Sequence, residues 1–304
     1  MKGCDINMPE AVSSYENAPA STPTNFPPQH QNKQPGSQQQ MNPEPVTDNP
    51  AYRGSGKLEN KVAIITGGDS GIGQAVAAAF AKEGADVIIA FYSEQEDAQQ
   101  TVQMVQTTGR RCVPVKCDLK QEACAQQVLD KAMQEFGRID ILVNNIAVQY
   151  PQIKLEDITA EQLNETFATN IFSCFYMTKA VIPHLSAGCS IINTTSVTAY
   201  QGSATLIDYS ATKGAIVSFT RSLALSVAKD GIRVNAVAPG PVWTPLIPSS
   251  FDEQKVAQFG KDVPLGRAAQ PFELAPAYVY LACDDSAYVT GQVLHVNGGV
   301  ITES

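Results

Sequence analysis

Tyr209 and Lys213, within "DYSATKGA", stand four residues apart, the spacing that puts two side chains on one face of a helix. A phenol beside an ammonium is suited to moving a proton on or off an oxygen at a reacting carbon. The pair alone is not decisive, because "YPQIK" sets Tyr150 and Lys154 at the same spacing. Company separates the two. Ser196 lies thirteen residues ahead of Tyr209, at the end of an apolar run, and Asn170 falls within the long helical stretch before that run. Thirteen residues ahead of Tyr150 stands Gly137, and Pro151 follows that tyrosine directly, so Tyr150 reads as a pocket wall.

Positioning Ser196, Tyr209 and Lys213 together requires a sheet. Apolar runs of strand length occur at 61–66, 86–91, 112–117, 139–145, 190–196, 232–238 and 292–296. Most are continuously apolar, as strands of a parallel sheet covered on both faces must be. Helical periodicity fills the intervals, as at 74–83, 119–136, 160–185 and 209–229. Strand and helix in strict alternation predict a doubly wound α/β domain of about seven parallel strands, with helices on both faces. Ligands of such sheets sit beyond the carboxyl ends of the strands, where Asn144, Ser196 and Pro239 fall.

The first strand runs into "TGGDSGIG", with Gly67, Gly71 and Gly73 preceding a helix whose apolar stripe begins at Ala75 and Val76. Glycine admits positive φ and close backbone approach, and free N–H groups at a helix start attract a pyrophosphate. A tight strand-to-helix turn needs glycine for steric reasons too; its place at the head of the domain favours a dinucleotide.

Composition bounds the rest. With 43% hydrophobic residues, a net charge of −9 and a pI near 4.9, the chain has ample core and no broad basic surface. Nucleic acid and anionic membranes are therefore not expected partners. Seven cysteines without paired zinc-type spacing predict free thiols and no metal site, and no signal-like or membrane-length apolar run appears, so a cytoplasmic protein is expected. Residues 1–57 are rich in Pro, Gln, Asn and Ser, with little apolar periodicity. They are expected to be a disordered tail or an arm laid on a neighbouring subunit, ahead of one domain at 58–304.

From about residue 58 onward the chain resembles the short-chain dehydrogenase/reductase family. The resemblance is carried by "TGGDSGIG", "CDL" at 117–119, "NNIA" at 144–147, Asn170, Ser196, "YSATK" at 209–213 and "PGPVWT" at 239–244. The N-terminal extension and "YVTGQVLHVNGG" are similar to a bacterial subgroup of glucose/ribitol dehydrogenase-like and aldehyde reductase members. The family's "NNAG" stands here as "NNIA", with Ile146 and Ala147 in place of smaller residues.

The resemblance implies hydride transfer between a nicotinamide cofactor and a small alcohol, sugar, aldehyde or ketone, with Tyr209 as general acid/base. It further implies that Lys213 lowers the tyrosine's pKa and binds a ribose, that Ser196 donates to the substrate oxygen, and that Asn170 holds a water on the proton path. Cofactor contacts are implied for Gly67, Asp69, Ser70, Gly71, Ile72, Gly73, Tyr92, Asp118, Leu119, Asn144, Tyr209, Lys213, Pro239, Gly240, Val242 and Thr244. Phe91 occupies the position where Asp would mark NAD, and no arginine follows for a 2′-phosphate, so the choice between NAD and NADP stays open.

Loops after the strands offer Gln149, Tyr150, Thr198, Tyr200, Leu206, Trp243 and Leu246 as substrate walls, with 244–259 as a lid. A homotetramer is implied, using the helices at 160–185 and 209–229 and the C-terminal segment. The competing reading is a dinucleotide-binding sensor or scaffold without turnover.

Overall fold

A computed structural model describes residues 22–302. Seven strands form one sheet: β1 (Val62–Thr66), β2 (Asp86–Phe91), β3 (Cys112–Lys116), β4 (Ile141–Asn144), β5 (Ser190–Thr194), β6 (Arg233–Pro239) and β7 (Val293–Val296). Their order is β3-β2-β1-β4-β5-β6-β7, and every pairing is parallel. The helices are α1 (Gly71–Lys82), α2 (Gln95–Gln106), α3 (Glu122–Phe136), α4 (Ala160–Phe167), α5 (Ser173–Val181), α6 (Thr198–Gln201), α7 (Ile207–Val227), α8 (Glu253–Gln258) and α9 (Ala275–Ala282). This is the Rossmann-type doubly wound sheet that the alternation predicts. The order reverses between β1 and β4, which opens a crevice at their carboxyl ends.

Every residue of β1, β5 and β6 is buried, because successive side chains feed two different cores. Ala63 and Ile65 of β1 pack with α1 and α9 on one face. Val62 and Ile64 pack with residues of α3, α5 and α7 on the other. That two-sided demand is why the strands read as unbroken apolar runs rather than alternating ones.

Several boundaries differ from expectation. The first helix starts at Gly71 rather than residue 74, so the glycine turn itself supplies its first turn. The stretch at 160–185 is not one helix: α4 and α5 are joined by a π-helical turn, Ala168–Phe172, that contains Asn170. Such a turn shifts the residues after it around the axis, and π-turns concentrate at functional sites.

The largest departure is the N-terminal extension. Its first 21 residues lie outside the described residues, but 22–57 is not a loose tail: it runs across its own domain. Phe26 stacks on Trp243 with ring centroids 3.9 Å apart, and both join a third core with Met41, Ile247, Phe251 and Val256. The backbone of Gln31 donates to Pro248 O at 2.8 Å, Trp243 Nε1 donates to Pro43 O at 2.9 Å, and Phe272 N donates to Val46 O at 3.2 Å. At the arm's end the Glu83 carboxylate accepts from the Tyr52 hydroxyl and from the backbone N–H groups of Ser55 and Lys57.

Candidate active site

The carboxyl ends of β1 to β6 converge on a cleft of about 830 Å³, within the range of small-molecule and cofactor sites. Its floor on the β1 side is the glycine turn. Gly67 and Gly71 have φ of +64° and +51°, values that a side chain would strain. Gly73 serves differently, since a Cβ there would sit 1.9 Å from Gly67 O and 2.9 Å from Asn145 Nδ2. It is absent from the cleft lining and instead lets α1 seat against the turn, leaving Gly67, Asp69, Ser70, Gly71 and Ile72 to face the space.

The interior of this turn is acidic. Asp69 is buried, and burial pushes its carboxyl up to about 7, aided by the charge of Asp97 behind it. Gln38 from the arm binds this region: its Oε1 accepts from Gly71 N at 2.8 Å, its Nε2 donates to Gln74 Oε1 at 2.7 Å, and its backbone donates to Asp97 Oδ2 at 2.7 Å. Phe91, Tyr92, Asp118 and Leu119, from the ends of β2 and β3, continue the lining outward.

On the far side lie Ser196, Tyr209 and Lys213, all buried and all lining the cleft. Lys213, 1% exposed, holds its Nζ 5.4 Å from the centre of the Tyr209 ring and donates to Thr194 O at 2.9 Å. Burial pulls its pKa down to about 8. Tyr209 responds oppositely: burial pushes the phenol up to about 12, while a hydrogen bond with Ser196 pulls it back. The expectation that Lys213 lowers the phenol's pKa therefore meets a counterforce. Loss of water is the largest cause for both groups, because each charged form has lost its hydration. Ser196 Oγ in turn accepts from the backbone N–H and the hydroxyl of Thr198, each at 3.1 Å. Ser196's own hydroxyl hydrogen is thereby left to donate elsewhere.

Asn170 does not line the cleft. Both of its amide hydrogens are used: Nδ2 donates to Val148 O at 2.9 Å and to Thr212 Oγ1 at 3.1 Å, while Oδ1 accepts from Val148 N at 2.8 Å. Asn144 also stays out of the cleft, its amide donating to Thr178 Oγ1 and Asn193 Oδ1 inside the sheet layer. Its neighbours Asn145, Ile146 and Ala147 face the space instead. One step along a strand turns a side chain to the opposite face, which is why Asn145 rather than Asn144 reaches the crevice.

Pro239, Gly240, Val242 and Thr244 line the cleft, as do Gln149, Tyr150, Thr198, Leu206 and Leu246. Two expected walls do not. Trp243 is 0% exposed and belongs to the core under the arm. Tyr200 meets the His295 ring edge to face at 4.6 Å, away from the cleft. Lys154 is exposed on an irregular segment, so no helix brings it to Tyr150. The segment expected as a lid is pinned by its apolar residues Ile247, Phe251 and Val256 against Phe26 and Met41.

Sequence reasoning missed Gln34, Pro35 and Gly36, which belong to the arm and line the cleft. Nothing in a glutamine-rich run points to a site. The carbonyl of Thr194 was also unread, since an acceptor on the backbone leaves no mark in residue type.

Residues 67–301 match the family model described as enoyl-(acyl carrier protein) reductase. The glucose and ribitol dehydrogenase of Daucus carota is 51% identical, over 91% of this chain and 97% of the relative. The chloroplastic NADPH-dependent aldehyde reductase 1 of Arabidopsis thaliana is 50% identical, over 91% of this chain and 98% of its own. Among solved structures, a short-chain dehydrogenase from Burkholderia cenocepacia in complex with NADP superposes with a TM-score of 0.75 at 28% identity, covering 80% of this chain and 98% of that one. A short-chain dehydrogenase from Mycobacterium paratuberculosis bound to NAD gives 0.74 at 31% identity, covering 80% and 98%.

Proposed function

The chain belongs to the short-chain dehydrogenase/reductase family, and from that premise we propose that it is an NAD(P)-dependent oxidoreductase interconverting a small alcohol or sugar with its aldehyde or ketone. The observation that carries the reading is the meeting of Ser196, Tyr209 and Lys213 in the same cleft as a glycine turn whose close approach Gly73 permits. The residues fit such a cofactor. The turn presents backbone where a pyrophosphate would lie, and the Lys213 ammonium, able to donate three hydrogen bonds, has one recorded acceptor among the described residues. Bound NAD(P) supplies or accepts the hydride.

The chain's own residues handle the rest. Gly67 to Ile72 hold the diphosphate, Tyr92, Asp118 and Leu119 flank the adenosine, and Asn145, Pro239, Gly240, Val242 and Thr244 face the nicotinamide half. Ser196 donates to the substrate oxygen as negative charge grows there. Tyr209 gives that oxygen a proton in reduction and takes it back in oxidation. Because burial holds the phenol protonated through the neutral range, it enters the reaction in the form that donates, which suits carbonyl reduction. Lys213 holds the ribose and supplies the positive charge that the reverse direction needs.

Tyr209→Phe tests the assignment. Turnover of an aldehyde that the parent reduces is expected to fall by about 10²–10⁴-fold, with NADPH still bound by fluorescence titration. Full turnover in the variant would refute the mechanism, and a parent that binds cofactor yet turns over none of a broad aldehyde and sugar panel would favour the sensor reading.

We further propose a homotetramer in the cytoplasm. Supporting the first, Phe172 and Phe175 are 45% and 51% exposed around the start of α5, and Phe175 contacts Phe219 of α7 at 4.3 Å, an apolar patch suited to burial against a copy. A single monomeric species in sedimentation at micromolar concentration would count against it. Supporting the second, the described cysteines are free, and among the described residues no helix is long and apolar enough to cross a membrane.

A further inference from the structure

Two consecutive residues of the loop after β4 are each gripped by a side-chain amide in the same two-way fashion. Asn170 takes Val148, accepting from its N–H at 2.8 Å and donating to its carbonyl at 2.9 Å. Gln34 takes Gln149, accepting from its N–H at 3.2 Å and donating to its carbonyl at 2.6 Å. The first grip comes from inside the domain, the second from the N-terminal arm, 115 residues away in sequence.

The arm around Gln34 is closely packed and cross-tied. A Cβ on Gly36 would stand 2.7 Å from Pro245 O and 3.1 Å from Ser249 Cβ. Gln31 Nε2 donates to Ser37 O at 2.9 Å and its Oε1 accepts from Ser37 N at 2.8 Å, closing a loop around Gln34 to Gly36. Gln38 then fastens the same strap to the glycine turn through Gly71 N. One stretch of eight residues, 31–38, thus touches the cofactor turn, the loop after β4 and the segment after β6.

We propose that Gln34 is a positioning residue of the substrate site: its amide fixes the Gln149–Tyr150 wall, so that the arm of the same chain sets how tightly a small carbonyl substrate is held. The inference rests on the oxidoreductase reading above. Tyr150 walls the cleft beside Thr198, Leu206 and Leu246, and its backbone position follows from the residue that Gln34 grips. Ser196 follows β5, Tyr209 and Lys213 lie on α7, and among the described residues the Gln34 side chain hydrogen-bonds only Gln149, so the wall can loosen without disturbing them.

Gln34→Ala in the full chain tests the proposal, with Glu44→Ala, an exposed arm residue outside the strap, as control. Loss of two hydrogen bonds to the backbone of one residue is expected to raise the KM for an aldehyde about tenfold, with kcat within about twofold and the Kd for NADPH unchanged. Gln34→Glu, of the same shape but with a charged oxygen against the Gln149 carbonyl, is expected to behave like the alanine variant. Hydrogen exchange, which needs no turnover, is expected to speed up in the peptide spanning 145–153 and to stay at the parent rate in the glycine turn. An unchanged KM, or unchanged exchange at 145–153, would overturn the proposal, as would a parent-like Gln34→Glu. An inactive parent would sink the oxidoreductase reading, and the exchange measurement would still decide whether Gln34 holds the wall.

Discussion

Lys213→Met should make the protein more stable at neutral pH while removing its turnover. The lysine is fully enclosed, and its pKa falls from the ordinary 10.5 to about 8 through burial. A displacement of that size corresponds to about 3 kcal/mol spent at pH 7 on keeping the charge inside. Methionine has a similar shape and no charge. Its introduction leaves Thr194 O without the Lys213 donor, which returns about 1 kcal/mol. The net gain is about 2 kcal/mol, or a rise in Tm of about 3 °C for a chain of this size.

The pH dependence is the sharper test of Lys213. Between about 8 and 10.5 the unfolded lysine is protonated and the folded one is not. The unfolded state therefore binds more protons there, and the parent gains stability as pH rises. The variant's advantage is full below pH 8, shrinks above it, closes near about 9.5 and reverses by about 1 kcal/mol above 10.5, where only the lost hydrogen bond remains. Thermal unfolding followed by circular dichroism at pH 7, 8.5 and 9.5, at one protein concentration, measures the gap. A variant less stable than the parent at pH 7, or a gap that does not change with pH, would refute the reasoning. A buried cation retained at such a cost is most simply explained by the reaction that needs it.

Gly73→Ala should abolish cofactor binding, because its Cβ would stand 1.9 Å from Gly67 O and force the turn open; an NADPH fluorescence titration that still saturates in the variant would contradict this. Phe26→Ala removes the ring stacked on Trp243 from a buried position, at a cost of about 3–5 kcal/mol. Limited proteolysis should then cut within 22–57 before it cuts the sheet, and a cleavage pattern matching the parent's would refute the anchoring role.

The architecture was legible because burial on both faces leaves a visible signature. Runs such as "VAIIT" and the fully buried β6 can be read as parallel strands without any partner in view. The catalytic candidates were legible for a related reason: a sheet converts sequence distance into convergence, so Ser196 at a strand end and Tyr209 in the next long helix had few other places to go. What escaped was of two kinds. Local geometry escaped where one residue decides a face, as with Asn144 turned inward and Asn145 turned to the cleft. The π-turn at Asn170 escaped because an added residue in a helical turn does not break the apolar period enough to be seen. Protonation escaped as well, since the Tyr–Lys spacing says nothing about the loss of water that drives both pKa values toward the neutral forms.

The arm failed to be read for a deeper reason. Compositional tests for disorder ask whether a segment can bury enough apolar surface to offset its ordering entropy. Residues 22–57 meet that cost by another route. Two large apolar groups, Phe26 and Met41, enter the core beneath the segment after β6. Between and around them glutamines do what a partner strand would do: Gln31 closes a loop on Ser37, Gln34 caps both polar groups of Gln149, and Gln38 satisfies Gly71 N and Gln74. Gln270 repeats the device from the domain side, donating to Pro23 O and accepting from Val46 N. Proline removes donors that would otherwise need partners, so a Pro- and Gln-rich strand can lie on a protein surface with few unmet hydrogen bonds. A polar composition therefore measures how little such a segment would collapse on its own, and says nothing of how well it matches a surface already built.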